Sequence, residues 1–406
     1  MSLTLRGGTL IDGTGGDPLE RAAISVEGER IRAVGGSGGT AVGEVLDLDG
    51  LTVLPGLIDA HSHFGLIAFE DLGRMPLAVQ AAHIFRNCEL ALMAGFTTTA
   101  DKGGIDGGVV RAIQAGLARG PRIYPSGPII AQTGGHGDLA PGCLAHSFHW
   151  NGAAGLTQLC TIADGPEAVR QAAREHFRRG ATQLKLCISG GVVSLSDRME
   201  DTQFTVAELR AAVEEAQARE TYVAVHAHNL RAMRNGLEAG VQCFEHATFL
   251  DQETAVLMAE QGAGIIPTLA VTRLLAEHWQ EWGVPEAAVP RIEGCEQAMS
   301  DAVKIAHDAG VLVGSGSDLL GTGQNRRGLE LVLKAQILGP MEAIVSATAT
   351  TATIMRLEAE IGRVVSGLRA DLIAVDGDPL SEPELFDDPG RVVFVMKDGL
   401  VEKDQR

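Results

Sequence analysis

The sequence of 406 residues is 45% hydrophobic and 21% charged, a composition typical of a folded protein with a large buried core. Its formal net charge of −19 argues against the basic face that nucleic acid and anionic membranes require, so we expect neither as a partner. No signal-peptide pattern, no apolar run approaching roughly 18 residues and no CxxC pair among the six cysteines is found, which predicts a cytoplasmic protein with reduced thiols.

Short strands are predicted for the first part of the chain. Over residues 1–55, apolar and polar residues alternate between Gly and Asp turns, which is the pattern of a half-exposed sheet. From residue 56 to about 355 the pattern changes, and brief apolar runs alternate with longer segments of helical period. That alternation predicts strand–helix units that build a parallel sheet.

Eight such strand–helix units can be counted between residues 56 and 355. Eight parallel units close most naturally into a barrel, so we predict an α/β fold of the (β/α)8, or TIM-barrel, type over residues 56–355. Helical period is clearest in residues 165–180, 205–220 and 251–262. The predicted strands are residues 56–63, 97–103, 122–130, 182–189, 222–229, 241–249, 264–271 and 311–318.

The strand pattern returns after about residue 356, in residues 362–378 and 391–403. Because the two ends of a domain often lie close together, residues 1–55 and 356–406 are predicted to pair into one small composite β-sandwich domain. The longest stretch without clear periodicity, residues 131–165, follows the third barrel strand. Loops of that length inside a compact domain are usually functional.

Histidines gather at the predicted C-terminal ends of the barrel strands, the face where barrel active sites lie. His61 and His63 are two residues apart on the first strand, so both side chains point to the same side of the sheet. An exposed turn without a role would give the same pattern. Several histidines on one barrel face are hard to explain by packing, however, and converging imidazoles are good ligands for zinc and similar metals. The six strand-end histidines are His61, His63, His136, His226, His228 and His246.

A carboxylate and a lysine complete the strand-end set. Asp318 ends the eighth strand, where it could bind a metal and take a proton from water, although Asp is also a common helix N-cap. Lys185 lies between two leucines at the end of the fourth strand, a position from which an unpaired lysine is normally excluded. It either pairs with an acidic neighbour or reacts with carbon dioxide to form a carbamate, an anionic bridge able to hold two metals. The residues alone do not decide between these two interpretations.

Taken together, these residues resemble the amidohydrolase superfamily, and the resemblance covers essentially the whole chain. It is carried by LPGLIDAHSH at 54–63, by the strand-end lysine, histidines and aspartate, and by GLRADLIAVDGDP at 367–379, which is similar to a return strand of the superfamily's composite sandwich. Lys185 combined with TGGHGD at 133–138 is similar to the prolidase-like, imidazolonepropionase-related branch. That branch contains Xaa-Pro dipeptidases, carboxypeptidases acting on dipeptides and N-acyl amino acids, and ochratoxin-type amidases.

The resemblance implies a binuclear metal-dependent hydrolase that cleaves the amide bond of a small-molecule substrate, a dipeptide or an N-acyl amino acid. A hydroxide shared by two divalent ions, with zinc the expected metal, would attack the amide carbonyl. His226 is preferred to His228 as a ligand because the family's ligand is the first histidine of this pattern. The implied ligands are His61, His63 and Asp318 for one ion, His226 and His246 for the other, and Lys185, carboxylated by carbon dioxide, as the bridge.

The resemblance also implies roles in catalysis and substrate binding. Asp318 would take the proton of the attacking water and deliver it to the leaving amine, and His136 would hydrogen-bond the carbonyl oxygen as charge develops. A Gly-rich loop can also hold an exposed histidine without a role. Arg231 could clamp a substrate α-carboxylate or be an ordinary solvated helix residue. His228, a predicted substrate contact, stands where prolidases tend to carry tyrosine, which weakens any expectation of proline specificity.

Other functions stay open. A urea, carbamate or cyclic-amide hydrolase has similar chemistry, whereas imidazolonepropionase-type enzymes and deaminases usually use one metal and do not need Lys185. A catalytically inactive binding barrel would have lost ligands that this chain retains. Oligomers are common in the superfamily, so a homo-oligomer is compatible with the resemblance. In the long loop, His146 and His149 with Phe148 and Trp150 could line a pocket for an apolar acyl group or could simply pack.

Overall fold

Six short strands open the chain, as the alternation in residues 1–55 predicts. The computed structural model describes residues 2–36, 43–67, 75–138, 153, 155–194, 197–284, 286–321 and 324–406, and every structural statement refers to these. The opening strands are β1 (Ser2–Arg6), β2 (Thr9–Leu10), β3 (Ala23–Glu27), β4 (Arg30–Gly35), β5 (Glu44–Asp47) and β6 (Thr52–Pro55).

Parallel strands follow in the middle of the chain, at the positions where brief apolar runs were found. Their residues are almost all buried, because helices and loops cover the sheet faces. They are β7 (Leu57–Ser62), β8 (Phe96–Asp101), β9 (Arg122–Pro125), β10 (Ile129–Ala131), β11 (Cys160–Ile162), β12 (Leu184–Cys187), β13 (Val223–Ala227), β14 (Cys243–His246), β15 (Gly264–Ile266) and β16 (Leu312–Val313).

Helices separate these strands, and all three segments with the clearest helical period are helical. Two of the three begin with a side-chain cap: Thr205 forms a capping box with Glu208, and the Asp251 side chain accepts a hydrogen bond from Thr254 N. The third begins with Pro166 after Gly165. The helices are α1 (Leu77–Met93), α2 (Gly107–Gln114), α3 (Pro166–Arg178), α4 (Val206–Gln217), α5 (Leu230–Ala239), α6 (Gln252–Glu260), α7 (Leu269–His278), α8 (Val289–Asp308), α9 (Leu329–Leu338), α10 (Pro340–Val345) and α11 (Thr351–Ile354), with a π-helical turn, Ser346–Thr350, between the last two.

The strands at the two ends of the chain form two further sheets, one of which contains strands from both ends. The closing strands are β17 (Leu372–Val375), β18 (Val392–Lys397) and β19 (Leu400–Asp404). One sheet has the order β4-β3-β1-β5, and the other, β19-β18-β17-β6-β2, joins the two ends of the chain. Leu5 and Ile24 of the first sheet pack with Leu372 and Phe394 of the second in one apolar cluster. The two ends therefore share a core, while the domain limits 1–55, 56–355 and 356–406 remain predictions.

The prediction of a closed barrel is confirmed only in part. The parallel strands form two sheets, β7-β8-β9 and β11-β10-β12-β13-β14-β15-β16, rather than one closed sheet. Backbone hydrogen bonds nevertheless link the two sheets on both sides. Ala60 N donates to Ser315 O over 2.8 Å, and Thr182 N donates to Pro125 O over 2.8 Å.

Several predicted segments differ from the structure, among them 264–271, whose last three residues belong to α7. The strand predicted at 122–130 is two strands, because Gly127 takes a left-handed φ of 69° and Pro128 has no N–H to donate to a sheet. The loop predicted at 131–165 contains the extra strand β11. In the segment 362–378, only Leu372–Val375 is a strand, since the residues before it form turns and an isolated bridge.

None of the helices within the described ranges combines the length and the apolar character needed to cross a membrane.

Candidate metal centre

Two histidines and an aspartate meet where the first and last parallel strands end. His61 lies at the end of β7, His63 follows that strand, and Asp318 lies five residues after β16. The Nε2 atoms of His61 and His63 are 3.2 Å apart, and Asp318 Oδ1 lies 3.5 Å from the first and 3.2 Å from the second. All three side chains are largely shielded from solvent. Three ligand atoms of the kinds that zinc prefers therefore converge on one point.

A second convergent group lies on the two neighbouring strands β13 and β14. One nitrogen of each of His226, His228 and His246 falls within 4.8 Å of the others, and all three residues are buried. The rings of His61 and His246 have centroids 5.2 Å apart, so the two groups are adjacent. The sequence prediction assigned His226 and His246 to a metal and His228 to substrate. The structure brings all three together.

Each of these histidine rings is held by one nitrogen, which leaves the other nitrogen available as a ligand. Metal-binding histidines commonly donate their second ring nitrogen to a carboxylate, carbonyl or hydroxyl partner, which fixes the tautomer and the ring orientation. The partners are Glu245 Oε2 for His61 Nδ1 at 2.6 Å, Gly103 O for His63 Nδ1 at 2.7 Å, Gly190 O for His226 Nε2 at 3.2 Å, Thr248 Oγ1 for His228 Nδ1 at 2.7 Å and Thr268 Oγ1 for His246 Nδ1 at 2.7 Å.

Burial sets the charge state of the second group. Desolvation lowers the pKa of His226 and His246 well below the ordinary histidine value and lowers the pKa of His228 to about 3. These imidazoles are therefore neutral at neutral pH, which is the form that ligates metals. In the first group, burial raises the pKa of Asp318, but the charges of His61 and His63 outweigh that effect and hold the pKa below its usual value. Asp318 is therefore an ionised carboxylate.

Several strand-end residues of the site adopt a left-handed backbone. The φ angles are 67° at His246, 56° at Thr268 and 54° at Asp318, a region that residues other than glycine rarely enter. Residues held in this region are often found at functional sites, where surrounding contacts maintain them. Here the three residues lie at the end of β14 and shortly after β15 and β16, where the chain leaves the sheet.

Lys185 is buried on β12, with a side chain that is 2% exposed. Its Nζ has no hydrogen-bond partner among the described residues, so the expected ion pair with an acidic neighbour is not formed there. Burial lowers the pKa of Lys185. A charge on this amine also acts on the pKa of His61 in the first group and of His226 and His246 in the second. The amine therefore lies within electrostatic range of both groups.

His136 reaches the site from the loop after β10. Its ring stacks on that of His226 with centroids 4.4 Å apart, and its Nδ1 has no hydrogen-bond partner within the described ranges. A Cβ on Gly191 would lie 2.0 Å from His136 Cε1, so only glycine permits this approach. Asp197 Oδ2 lies 3.7 Å from His136 Nδ1. The loop histidine thus belongs to the site.

Arg231 is the predicted site residue that the structure does not bring into contact with the others. It lies near the start of α5, its side chain is exposed, and it forms no ion pair with any residue that the structure describes. Its predicted clamping role stays untested. His146, His149, Phe148 and Trp150 lie outside the described residues.

Sequence reasoning missed the buried charges beneath the site. Glu245 and Lys102 are both 0% exposed, and their Oε1 and Nζ atoms lie 3.4 Å apart, while the other carboxylate oxygen of Glu245 holds His61. Glu245 lies on the buried strand β14, and Lys102 directly follows the buried strand β8. The same signal that drew attention to Lys185, a charged residue where only a paired one is tolerated, could have found them.

The two groups fit divalent metal ions. They offer histidine nitrogens and a carboxylate at the distances of a shared site, imidazoles held from behind, and a buried amine for which the described residues provide no hydrogen-bond partner. Histidines that serve only the packing of a core would have their ring nitrogens hydrogen-bonded to other protein groups, and their nitrogens would not converge on one point.

Comparison with known proteins gives matches over nearly the whole chain. Residues 52–401 match the amidohydrolase family. The chain is 32% identical to ochratoxinase from Aspergillus niger over 416 aligned positions, which cover 97% of this chain and 85% of that protein.

Solved structures agree with this match. A prolidase complexed with N-methylphosphonate-L-proline superposes with a TM-score of 0.95 at 37% identity, covering 100% of both chains. A Xaa-Pro dipeptidase with methionine bound in its active site superposes with a TM-score of 0.88 at 31% identity, covering 99% of this chain and 100% of the other.

Proposed function

The chain belongs to the amidohydrolase family, with relatives in its prolidase-like branch, and from this we propose a binuclear hydrolase that cleaves the amide bond of a dipeptide or an N-acyl amino acid. It is an enzyme that hydrolyses amide or peptide bonds. The observation that carries the binuclear proposal is the meeting of two ligand groups, one from β7 and residue 318 and one from β13 and β14, around the buried amine of Lys185.

The proposal includes a complete (β/α)8 barrel over residues 56–355, with the composite sandwich formed by 1–55 and 356–406. It is supported by the hydrogen bonds that link the two parallel sheets on both sides, through Ser315 and through Pro125. Barrel enzymes place their catalytic groups at the C-terminal strand ends, where the site lies. A cytoplasmic location and assembly into a homo-oligomer remain predictions.

The metal ligands proposed are those that the resemblance implied. His61, His63 and Asp318 would hold one ion, and His226 and His246 the other. When bound, two divalent ions, with zinc our choice, would lower the pKa of the attacking water and polarise the scissile carbonyl. Lys185 would bridge as a carbamate, formed when the neutral amine adds to carbon dioxide and releases a proton. An unmodified ammonium there would repel both cations. The carbamate would instead be a single anionic group that attracts both.

The residues of the chain would then perform the proton transfers and hold the substrate. Asp318 accepts the proton of the attacking water and delivers it to the leaving amine, since its ionised carboxylate stands at the centre of the first group. His136, whose ring borders the second group, hydrogen-bonds the carbonyl oxygen. His228, a member of the same group, contacts the substrate. Arg231, which is exposed near the start of α5, offers a guanidinium for a substrate α-carboxylate.

The substrate class follows from the relatives as a proposal. The similar prolidase is complexed with N-methylphosphonate-L-proline, and ochratoxinase is an amide-cleaving relative, so proline and other amino acids are candidate leaving groups. The direct experiment measures amino acid release from Xaa-Pro dipeptides, other L-dipeptides and N-acyl-L-amino acids by the zinc-loaded protein. Release from one of these groups supports the proposal. Release only from ureas, carbamates or cyclic amides would replace it with the corresponding alternative.

His136→Gln should lower kcat by about 10²–10³-fold, the cost of removing one oxyanion donor, while leaving zinc content unchanged. The side chain stacks on a ligand group without being one of its proposed members. Steady-state kinetics and metal analysis of the purified variant check this. His278, a half-exposed residue of α7, supplies the matched control as His278→Gln. A His136 variant with wild-type kcat, or with lost zinc, contradicts the proposed role.

Glu245→Gln should weaken zinc binding by about 10–100-fold, because His61 loses the carboxylate that fixes its ring and tautomer. Glutamine has nearly the same volume, so the change removes mainly charge. Competition with a zinc chelator measures the affinity, and thermal unfolding of the metal-free protein reports any general damage. Unchanged zinc affinity would show that Glu245 serves the core alone, through Lys102.

A further inference from the structure

A fully buried ion pair lies directly behind the first ligand group. Asp59, on β7, and Arg327, in the loop between β16 and α9, are both 0% exposed, and Arg327 Nη1 donates to Asp59 Oδ2. Neither residue belongs to the proposed ligand set or to the proposed acid–base chemistry. Removing a charge pair this deep from water is costly unless further hydrogen bonds satisfy it. Apart from Arg327 Nε, which has no partner among the described residues, the pair is hydrogen-bonded, and its contacts indicate what it holds in place.

The carboxylate of Asp59 joins the two chain segments that carry the first ligand group. Its Oδ1 accepts hydrogen bonds from His61 N and from Ser317 N, and each of these bonds is 3.0 Å long. Its Oδ2 accepts a hydrogen bond of 2.5 Å from Ser317 Oγ. One carboxylate thus fixes the backbone of a ligand residue on β7 and of the residue immediately before Asp318.

The guanidinium of Arg327 extends the same connection to His63. It donates to Ser62 Oγ over 2.7 Å and to Gln324 Oε1 over 2.6 Å. Gln324 in turn donates from Nε2 to His63 O over 3.0 Å. The planar guanidinium donates to Asp59, Ser62 and Gln324 at the same time and in fixed directions. The ammonium group of a lysine could not reproduce this geometry. We call Asp59, Ser317, Gln324 and Arg327 the clasp.

The clasp lies where the segment after β16, which carries Asp318, approaches the end of β7, which carries His61. Asp318 N donates to His61 O over 2.7 Å, and a Cβ on Gly316 would lie 2.6 Å from His61 Cβ, so the two segments are in close backbone contact. A small separation of the segments would move Asp318 away from both histidines. Among the residues that the structure describes, no hydrogen bond joins the clasp to His226 or His246.

We propose that the clasp is a positioning device for the first metal site alone: it sets the distance between Asp318 and the His61–His63 pair, while the second site is independent of it. This inference rests on the proposed binuclear function. It predicts that loosening the clasp weakens one of the two metals selectively, which a general loss of core stability would not do.

The test compares zinc affinity at each site separately, by chelator competition. His246→Ala leaves the first site, and His63→Ala leaves the second. In each background we would introduce Arg327→Lys, which keeps the charge and loses the fork, and Ser317→Ala, which removes one hydroxyl and keeps the ion pair. Glu330→Gln is the control, because Glu330 is a buried carboxyl group three residues along the chain whose Oε2 accepts a hydrogen bond from Ala270 N, and its side chain bonds neither a clasp residue nor a ligand residue among those described.

We expect Arg327→Lys to weaken the first site by about 10–100-fold and Ser317→Ala to weaken it less, with the second site unchanged. Raising free zinc should restore the activity of Arg327→Lys in the otherwise natural chain. Glu330→Gln should lower the unfolding temperature without a preference for either site. If Arg327→Lys fails to fold, Ser317→Ala decides alone.

Equal weakening of both sites, or unchanged affinity at the first, would overturn the inference. Failure of the proposed function looks different, because the natural chain would then bind fewer than two zinc ions or hydrolyse no amide. In that case the binuclear assignment is wrong, and zinc binding and amide hydrolysis by the natural chain show this before any clasp variant is made.

Discussion

Asp318→Asn should lower kcat for amide hydrolysis by about 10⁴-fold, the upper end of what one positioned acid–base group contributes. The carboxylate stands 3.2 Å from His63 and 3.5 Å from His61, which supports its proposed roles as a ligand and as the proton acceptor. Asparagine has almost the same shape and tolerates the left-handed φ of 54° at this position, so the fold should survive. What the amide cannot do is carry the negative charge or accept the proton.

Steady-state kinetics of Asp318→Asn, with circular dichroism to confirm folding, measure this effect. Asp301→Asn, on the exposed side of α8, is the control and should keep natural activity. A folded Asp318→Asn protein that retains more than about a tenth of the natural kcat would contradict the assignment, since even the weakest acid–base contributions are about 10²-fold.

Lys185→Ala should lower activity by roughly 10²–10⁴-fold, the equivalent of several kcal/mol of lost charge stabilisation. Its Nζ is buried without a partner, so the alanine variant loses no hydrogen bond of the described protein and should fold. It loses the carbamate, and with it the anion proposed to hold the two ions together. A small carboxylate such as propionate, added to the variant, should recover part of the activity by occupying the vacated space.

Two measurements check this prediction. Activity is compared with and without propionate, and the natural protein, prepared in ¹³C-labelled carbon dioxide, is examined for a carbamate carbon by NMR. Lys334→Ala is the control, because its amine is equally buried but donates to Gly314 O and Ser346 Oγ, so propionate should rescue nothing. A fully active Lys185→Ala protein, or a natural protein without labelled carbamate, would contradict the bridging role.

The sequence predicted the site better than it predicted the details of the fold. His61, His63, His226, His246 and Asp318 could be found because parallel strands of one sheet end at the same edge, and side-chain alternation gives their direction. No long-range information was needed to expect them together. The structure places these five side chains within two adjacent groups, which is the arrangement that strand-end logic requires.

The supporting contacts could not be predicted in the same way. Glu245 with His61, and Arg327 with Asp59, join residues 184 and 268 positions apart, and no periodic pattern specifies such pairs. The available signal was indirect: a charged residue inside an apolar strand must have a partner. That argument was applied to Lys185, for which the described part of the chain offers no acidic partner, and would have served better for the pair of Lys102 and Glu245.

The fold was predicted at the level of strand–helix alternation, and errors occurred where one residue changes the backbone. Gly127 and Pro128 divide the third parallel strand, which apolar content alone could not indicate. β11, with only three residues, is too short for a recognisable period. Arg231 illustrates a different limit: the sequence placed it near the start of α5 but left open whether its side chain binds a substrate or is solvated, and the structure shows that the side chain is exposed.

The central claim, a hydrolase that needs two metals, is tested most directly by titrating metal-free protein with zinc while following amino acid release from the best N-acyl amino acid or dipeptide substrate. We predict that activity rises with added zinc and reaches its plateau at two equivalents per chain. Full activity without zinc, or a plateau at one equivalent with no second ion bound, would contradict the binuclear site.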